Sequence, residues 1–113
     1  MIDHLRHSLT QAQRWVATYE GFVDDVVADG YDMCVYEYTN DLSCRLFIYD
    51  NRSSVEIREM RQRIEVADQR FRDVLQETKK CIHGDYPKEC FWFWSCPANS
   101  PELEQDLLEM GAL

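Results

Sequence analysis

The chain is short of the residues that break structure and of those that carry chemistry. It has four glycines, three prolines and three histidines in 113 residues. So little glycine and proline excludes collagen-like and linker-like architectures. No G-x-S-x-G elbow, P-loop, dinucleotide fingerprint or H-E-x-x-H string occurs, so no motif fixes a reaction. No apolar run approaches the ~18 residues of a membrane span. Positive charge is also scarce, with 12 Lys and Arg against 21 Asp and Glu, a net charge of −9. That surplus repels phosphate backbones and anionic lipid, which excludes direct gripping of nucleic acid and docking on a membrane surface.

What is present is ordinary globular composition, 45% apolar and 29% charged. At this length one domain spanning 1–113 is expected. Met1 to Thr10 lacks the apolar core of a secretory signal and reads as the start of an amphipathic helix, so a cytoplasmic location is expected. The charge is uneven: residues 1–50 carry −6, residues 51–80 carry +2 and residues 81–113 carry −5.

The five cysteines are Cys34, Cys44, Cys81, Cys90 and Cys96, an odd number that suggests reduced thiols packed as small apolar groups. Cys81, His83, Cys90 and Cys96 form a C-x-H-x6-C-x5-C string. It lacks the short C-x2-4-C pair with which structural zinc sites present two thiolates. The expectation is no cofactor, with these four as the metal-ligating alternative. His4 and His7, one helical turn apart, supply only two ligands. A redox pair between Cys81 and Cys90 or Cys96 lacks a C-x-x-C motif.

Hydrophobic periodicity predicts a long helix from Ile2 to about Ala28, its stripe running through Ala12, Val16, Tyr19, Val23 and Val27. Gly21 falls on the polar side and Gly30 ends the helix. Residues 31–50 fit two templates, a helix on periodicity and a hairpin turning at Asn40-Asp41 on composition; the period favours helix. Ser53 or Ser54 is expected to cap the next helix; with Ser53 as the cap, Glu56 stands at capping-box spacing. A second amphipathic helix is then expected from Ser54 to about Lys80, with Glu59–Arg63 and Asp68–Arg72 as i,i+4 pairs. The run Glu89 to Cys96 holds four consecutive aromatics and reads as an extended strand. Its partner would be residues 31–49, a second copy of the chain to give a homodimer, or no sheet at all. Ser100 and Pro101 start a last helix that Gly111 stops.

The expected fold is therefore mainly α, a small single-domain helical fold with an extended aromatic segment near the C-terminus. The alternative is α+β with a three-stranded antiparallel sheet from residues 31–49 and 89–96. Acids at the C-terminal end of a helix oppose its dipole, which marks Asp24, Asp25, Asp29 and Asp32 as an acidic contact patch. Trp15, Phe22, Trp92 and Trp94 are aromatic contact candidates. The functional expectation is a small acidic, non-enzymatic binding protein that engages a basic protein, as an inhibitor, immunity protein or antitoxin does. The alternatives are a zinc protein built on the Cys/His string, or a ligand-binding domain or enzyme with an aromatic pocket around Trp92 and Trp94.

Overall fold

A computed structural model of the chain describes residues 9–113. The first turns of the expected N-terminal helix, with Ile2, His4, Leu5 and His7, lie outside these residues. The fold is mainly α. Six α-helices occur among the described residues: α1 (Gln11–Asp29), α2 (Val35–Asp41), α3 (Ser43–Asp50), α4 (Val55–Glu59), α5 (Arg61–Arg72) and α6 (Pro101–Glu109). Two three-residue strands, β1 (Leu75–Glu77) and β2 (Ser95–Pro97), form one antiparallel ribbon.

Helix α1 begins at a reciprocal cap. The Thr10 hydroxyl accepts from the Gln13 amide and the Gln13 side chain accepts from the Thr10 amide, which satisfies two donors a helix start leaves open. The helix buries Ala12, Val16, Tyr19, Val23 and Val26. The seam thus continues through Val26, while Val27 is exposed. Gly30 closes the helix at φ 75°, a conformation only glycine adopts without strain. Helix α1 packs on α3, α4 and α5, which makes it the spine of the core.

The stretch 31–50 is helical, as its period predicts, and not a hairpin. It divides at Leu42 into α2 and α3. Leu42 itself stays in helical geometry and is fully buried. Of the two expected caps, Ser54 starts α4, its hydroxyl accepting from the Ile57 amide, so the Ser53–Glu56 capping box does not form.

Two expectations fail in the C-terminal half. The second amphipathic helix does not run to Lys80. It tightens at Met60, splitting α4 from α5, and ends at Arg72. Beyond it Leu75, Gln76 and Glu77 pair with Pro97, Cys96 and Ser95. The flanking bonds Ala98 N–H to Val74 C=O and Thr78 N–H to Trp94 C=O lengthen the ribbon at both ends. A ladder partner distant in sequence overrides a local helical period here. The aromatic run is likewise not one strand. Phe91–Phe93 is a 3₁₀ turn that reverses the chain before β2 begins at Ser95. The strand's partner is 75–77, so neither the three-stranded sheet with 31–49 nor pairing with a second copy is needed to satisfy it. Because a 3₁₀ turn does not alternate faces, Trp92 and Phe93 are both buried while Phe91 and Trp94 are half-buried.

The core is rich in edge-to-face aromatic contacts. Phe22 meets Tyr31 and Phe71 at 5.9 and 5.6 Å between ring centroids, Tyr31 meets Tyr38 at 5.0 Å, and Tyr49 meets Trp92 at 5.8 Å.

Candidate functional site

The structure separates the expected acidic patch into used and unused carboxylates. Asp24 is paired with Arg70 of α5. The mismatch of an acid near the end of α1 therefore has a local return, an ion pair tying α1 to α5. Asp32 accepts from the Glu102 amide at 2.9 Å, filling an open donor in the first turn of α6. Asp106 of α6 accepts from the Val35 amide at 2.9 Å and does the same for α2. Each helix start is thus capped by a carboxylate from the other segment, Asp32 just before α2 and Asp106 in the second half of α6, which also suits their positive dipole ends. Asp25 and Asp29 are exposed on α1.

These caps join two parts of the chain that share one property. Residues 15–44 contain no Lys, Arg or His, and neither do residues 89–113. Helices α2 and α6 come from these stretches and pack together. Glu37 of α2 and Glu102 of α6, with Asp32 beside them, find no cation within either stretch; at the far end of α6 the chain brings in Lys79, whose amide donates to the Ala112 carbonyl, and Lys80, whose Nζ lies close to Gly111. In the same region Tyr36 is 73% exposed and Met33 46% exposed. The arginines are drawn to the other side of α1: Arg63 meets Glu20 at 2.5 Å, Arg70 meets Asp24 and Arg45 meets Asp68.

Asp68 organises a largely buried polar cluster at the α1–α3–α5 interface. Arg45 approaches it with both Nε and Nη2 at 2.9 Å, a bidentate fork. The Tyr19 hydroxyl donates to the same carboxylate at 2.6 Å. Burial, reinforced by the Asp68 charge, pushes the Tyr19 phenol well above its ordinary range and keeps it a donor. The Arg45 guanidinium lies 4.1 Å from the Trp92 ring centre, a cation–π contact shielded from water. The i,i+4 pairs expected from sequence are displaced: Asp68 serves Arg45 rather than Arg72, and Arg63 serves Glu20 rather than Glu59. Arg72 instead covers the Phe91 ring at 4.1 Å.

The aromatic candidates scatter. Phe22 and Trp92 are core residues, packed against Tyr31, Phe71 and Tyr49. Trp15 is half-buried and packs at a tilt against the exposed Phe47, ring centroids 5.4 Å apart. Trp94 donates to the Tyr86 carbonyl at 3.0 Å and lines a groove of about 420 Å³ with Arg72, Lys88 and Phe91. Trp92 lines a different cavity with Arg45 and Tyr49. One pocket built on both tryptophans is therefore not what the fold makes.

The metal-ligating alternative finds no centre. Among the described residues no three His, Cys, Asp or Glu side chains converge as a metal ion requires. Cys90 and Cys96 are fully buried, His83 is exposed, and the Cys81 thiol donates to the His83 carbonyl at 3.2 Å. Burial pushes the Cys44 and Cys96 thiols up to about 11, the direction that disfavours thiolate chemistry. No helix among the described residues is long and apolar enough to cross a membrane.

Sequence reasoning missed the mutual capping of α2 and α6 and the Asp68 cluster. The signal for the first, two long stretches devoid of basic residues, stands in the sequence; the contact between them does not. Comparison with known proteins adds no relative: no family model, no curated protein sequence and no solved structure matches this chain.

Proposed function

We propose that the chain is a non-enzymatic binding protein whose α2–α6 end engages a basic surface of another protein, in the manner of acidic inhibitors and immunity proteins. The observation that carries this is the meeting of two base-free stretches through the reciprocal Asp32 and Asp106 caps. A field predominantly of one sign speeds encounter with the opposite sign and rejects like-charged surfaces; Lys79 and Lys80 offset it only at the C-terminal end of α6. The exposed Tyr36 and Met33 supply what charge alone does not, a large amphipathic ring and a pliable apolar chain of the kind interfaces favour.

The test is affinity capture with three baits: the native chain, a variant reversed at this end (Asp29→Lys, Glu37→Lys, Glu109→Lys) and a control reversed on α4 (Glu56→Lys, Glu59→Lys). A basic protein held by the native and control baits, lost from the first variant and released by rising salt supports the proposal. The same captured proteins on all three baits, or none on any, overturns it.

A further inference from the structure

We propose that the cavity between α3, α4 and α5 is a binding site for a small organic anion, a carboxylate or phosphate ester carrying an aromatic or branched apolar group. The cavity measures about 300 Å³, at the small end of ligand sites. It is separate from the α2–α6 surface, and its chemistry is opposite in sign. Four of the nine arginines of an acidic chain line it: Arg45, Arg52, Arg58 and Arg61.

Charge bookkeeping around the cavity leaves cationic heads over. Asp68 is consumed by Arg45 and Tyr19. Glu89 accepts from the Tyr49 hydroxyl at 2.8 Å. Glu65 meets Arg61 only at 3.7 Å, with both side chains exposed, a weak pair by geometry and solvation. Arg52 is steered toward Tyr49, donating to its carbonyl at 2.9 Å and lying 4.2 Å from its ring centre. Arg58 has no ion-pair partner among the described residues and is exposed at the rim. Arg52, Arg58 and Arg61 can therefore gather on an anionic head without dismantling the fold.

The rest of the lining suits an apolar body. Ile48, Ile57 and Ile64 are buried residues that form part of its wall. Trp92 lines the cavity beneath Arg45, fully buried, and its Nε1 has no hydrogen-bond partner. A buried donor left unsatisfied is costly, so the Trp92 indole N–H is a sensitive reporter of any change in the cavity its residue lines.

The test is an NMR titration with phenyl phosphate, reading the three indole N–H signals, with phenol and inorganic phosphate as partial probes. The proposal expects a saturable shift of the Trp92 signal. Trp15 and Trp94, outside this cavity, should stay still. Phenyl phosphate should bind more tightly than either partial probe. The double variant Arg58→Gln, Arg61→Gln should weaken binding about tenfold or more, with Arg14→Gln, outside the cavity, as an unaltered control. The substituted side chains are exposed, so an unchanged amide spectrum verifies the fold. A Trp92 signal unmoved at about 10 mM phenyl phosphate overturns the proposal, as does equal binding of phenol or equal affinity of the double variant.

Discussion

Asp68 shows how one residue holds three elements. Its carboxylate takes two bonds from Arg45 and one from Tyr19, so α1, α3 and α5 meet on one charge. The Asp68 and Arg45 side chains are 18% and 11% exposed. Removing one partner of such a pair strands the other in a low-dielectric setting, whereas removing both does not. Asp68→Ala is therefore expected to lower unfolding stability by about 3 kcal/mol. Adding Arg45→Met to it should restore part of that loss. Urea denaturation checks both, and a double variant less stable than the single one would contradict this description. The role of Asp68 was hidden in the sequence because Arg72 stands at the right i,i+4 spacing to claim it. Arg45, 23 positions away, can do so only once α3 and α5 are packed.

At the scale of elements, the junction of α2 and α6 is the least local feature of the fold. Each helix start is capped by an aspartate more than 69 residues away in the chain. Asp32→Ala and Asp106→Ala should each cost about 1 kcal/mol, the usual loss of a capping side chain. Amide hydrogen exchange gives the finer reading: Asp106→Ala should speed exchange at Val35, and Asp32→Ala at Glu102, each leaving α1 unaffected.

Most helices were legible in the sequence, because apolar residues recur at helical spacing through α1, α3, α5 and α6 and polar or glycine residues stand at their ends. Ser100, Pro101 and Gly111 bound α6 as they suggest, although the Ser100 hydroxyl donates to the Pro97 carbonyl instead of capping the helix. The break at Met60 was not legible, since Glu59, Met60 and Arg61 all favour helix. The β1–β2 ribbon was hidden for a different reason. Val74, Leu75 and Thr78 continue the stripe of α5, and only pairing with 94–98 decides that they leave the helix. The aromatic run misled because β propensity describes a pleated, half-buried surface, while Phe91–Phe93 fill a core corner as a 3₁₀ turn.

For the molecule as a whole, burial of protonated groups sets its behaviour in alkali. The Cys44 and Cys96 thiols are pushed up to about 11 from an ordinary value of 9.0 by desolvation. The buried Tyr19 and Tyr38 phenols shift in the same direction for the same cause. An unfolded chain releases these protons earlier than the folded one, so its free energy falls first as pH rises. Stability from these thiols is fully present below pH 9.0 and should decline progressively as pH climbs toward about 11. Denaturation midpoints measured across that window check this, and midpoints that rise with pH would contradict it.

The distribution of charge is the other whole-molecule property. The sequence shows acidic ends around a nearly neutral middle; the fold brings the two ends together at α2 and α6, with Lys79 and Lys80 against the C-terminal end of α6. Arg45, Arg63 and Arg70 bridge to acids of α1 and α5, and the base-free stretches converge at α2 and α6. Hydrogen exchange with and without a basic protein recovered by affinity capture tests the proposed use of the α2–α6 end most directly. New protection is expected across residues 30–41 and 101–110, with Tyr36 at its centre. Protection confined to α4 and α5, with residues 30–41 and 101–110 unchanged, would contradict it.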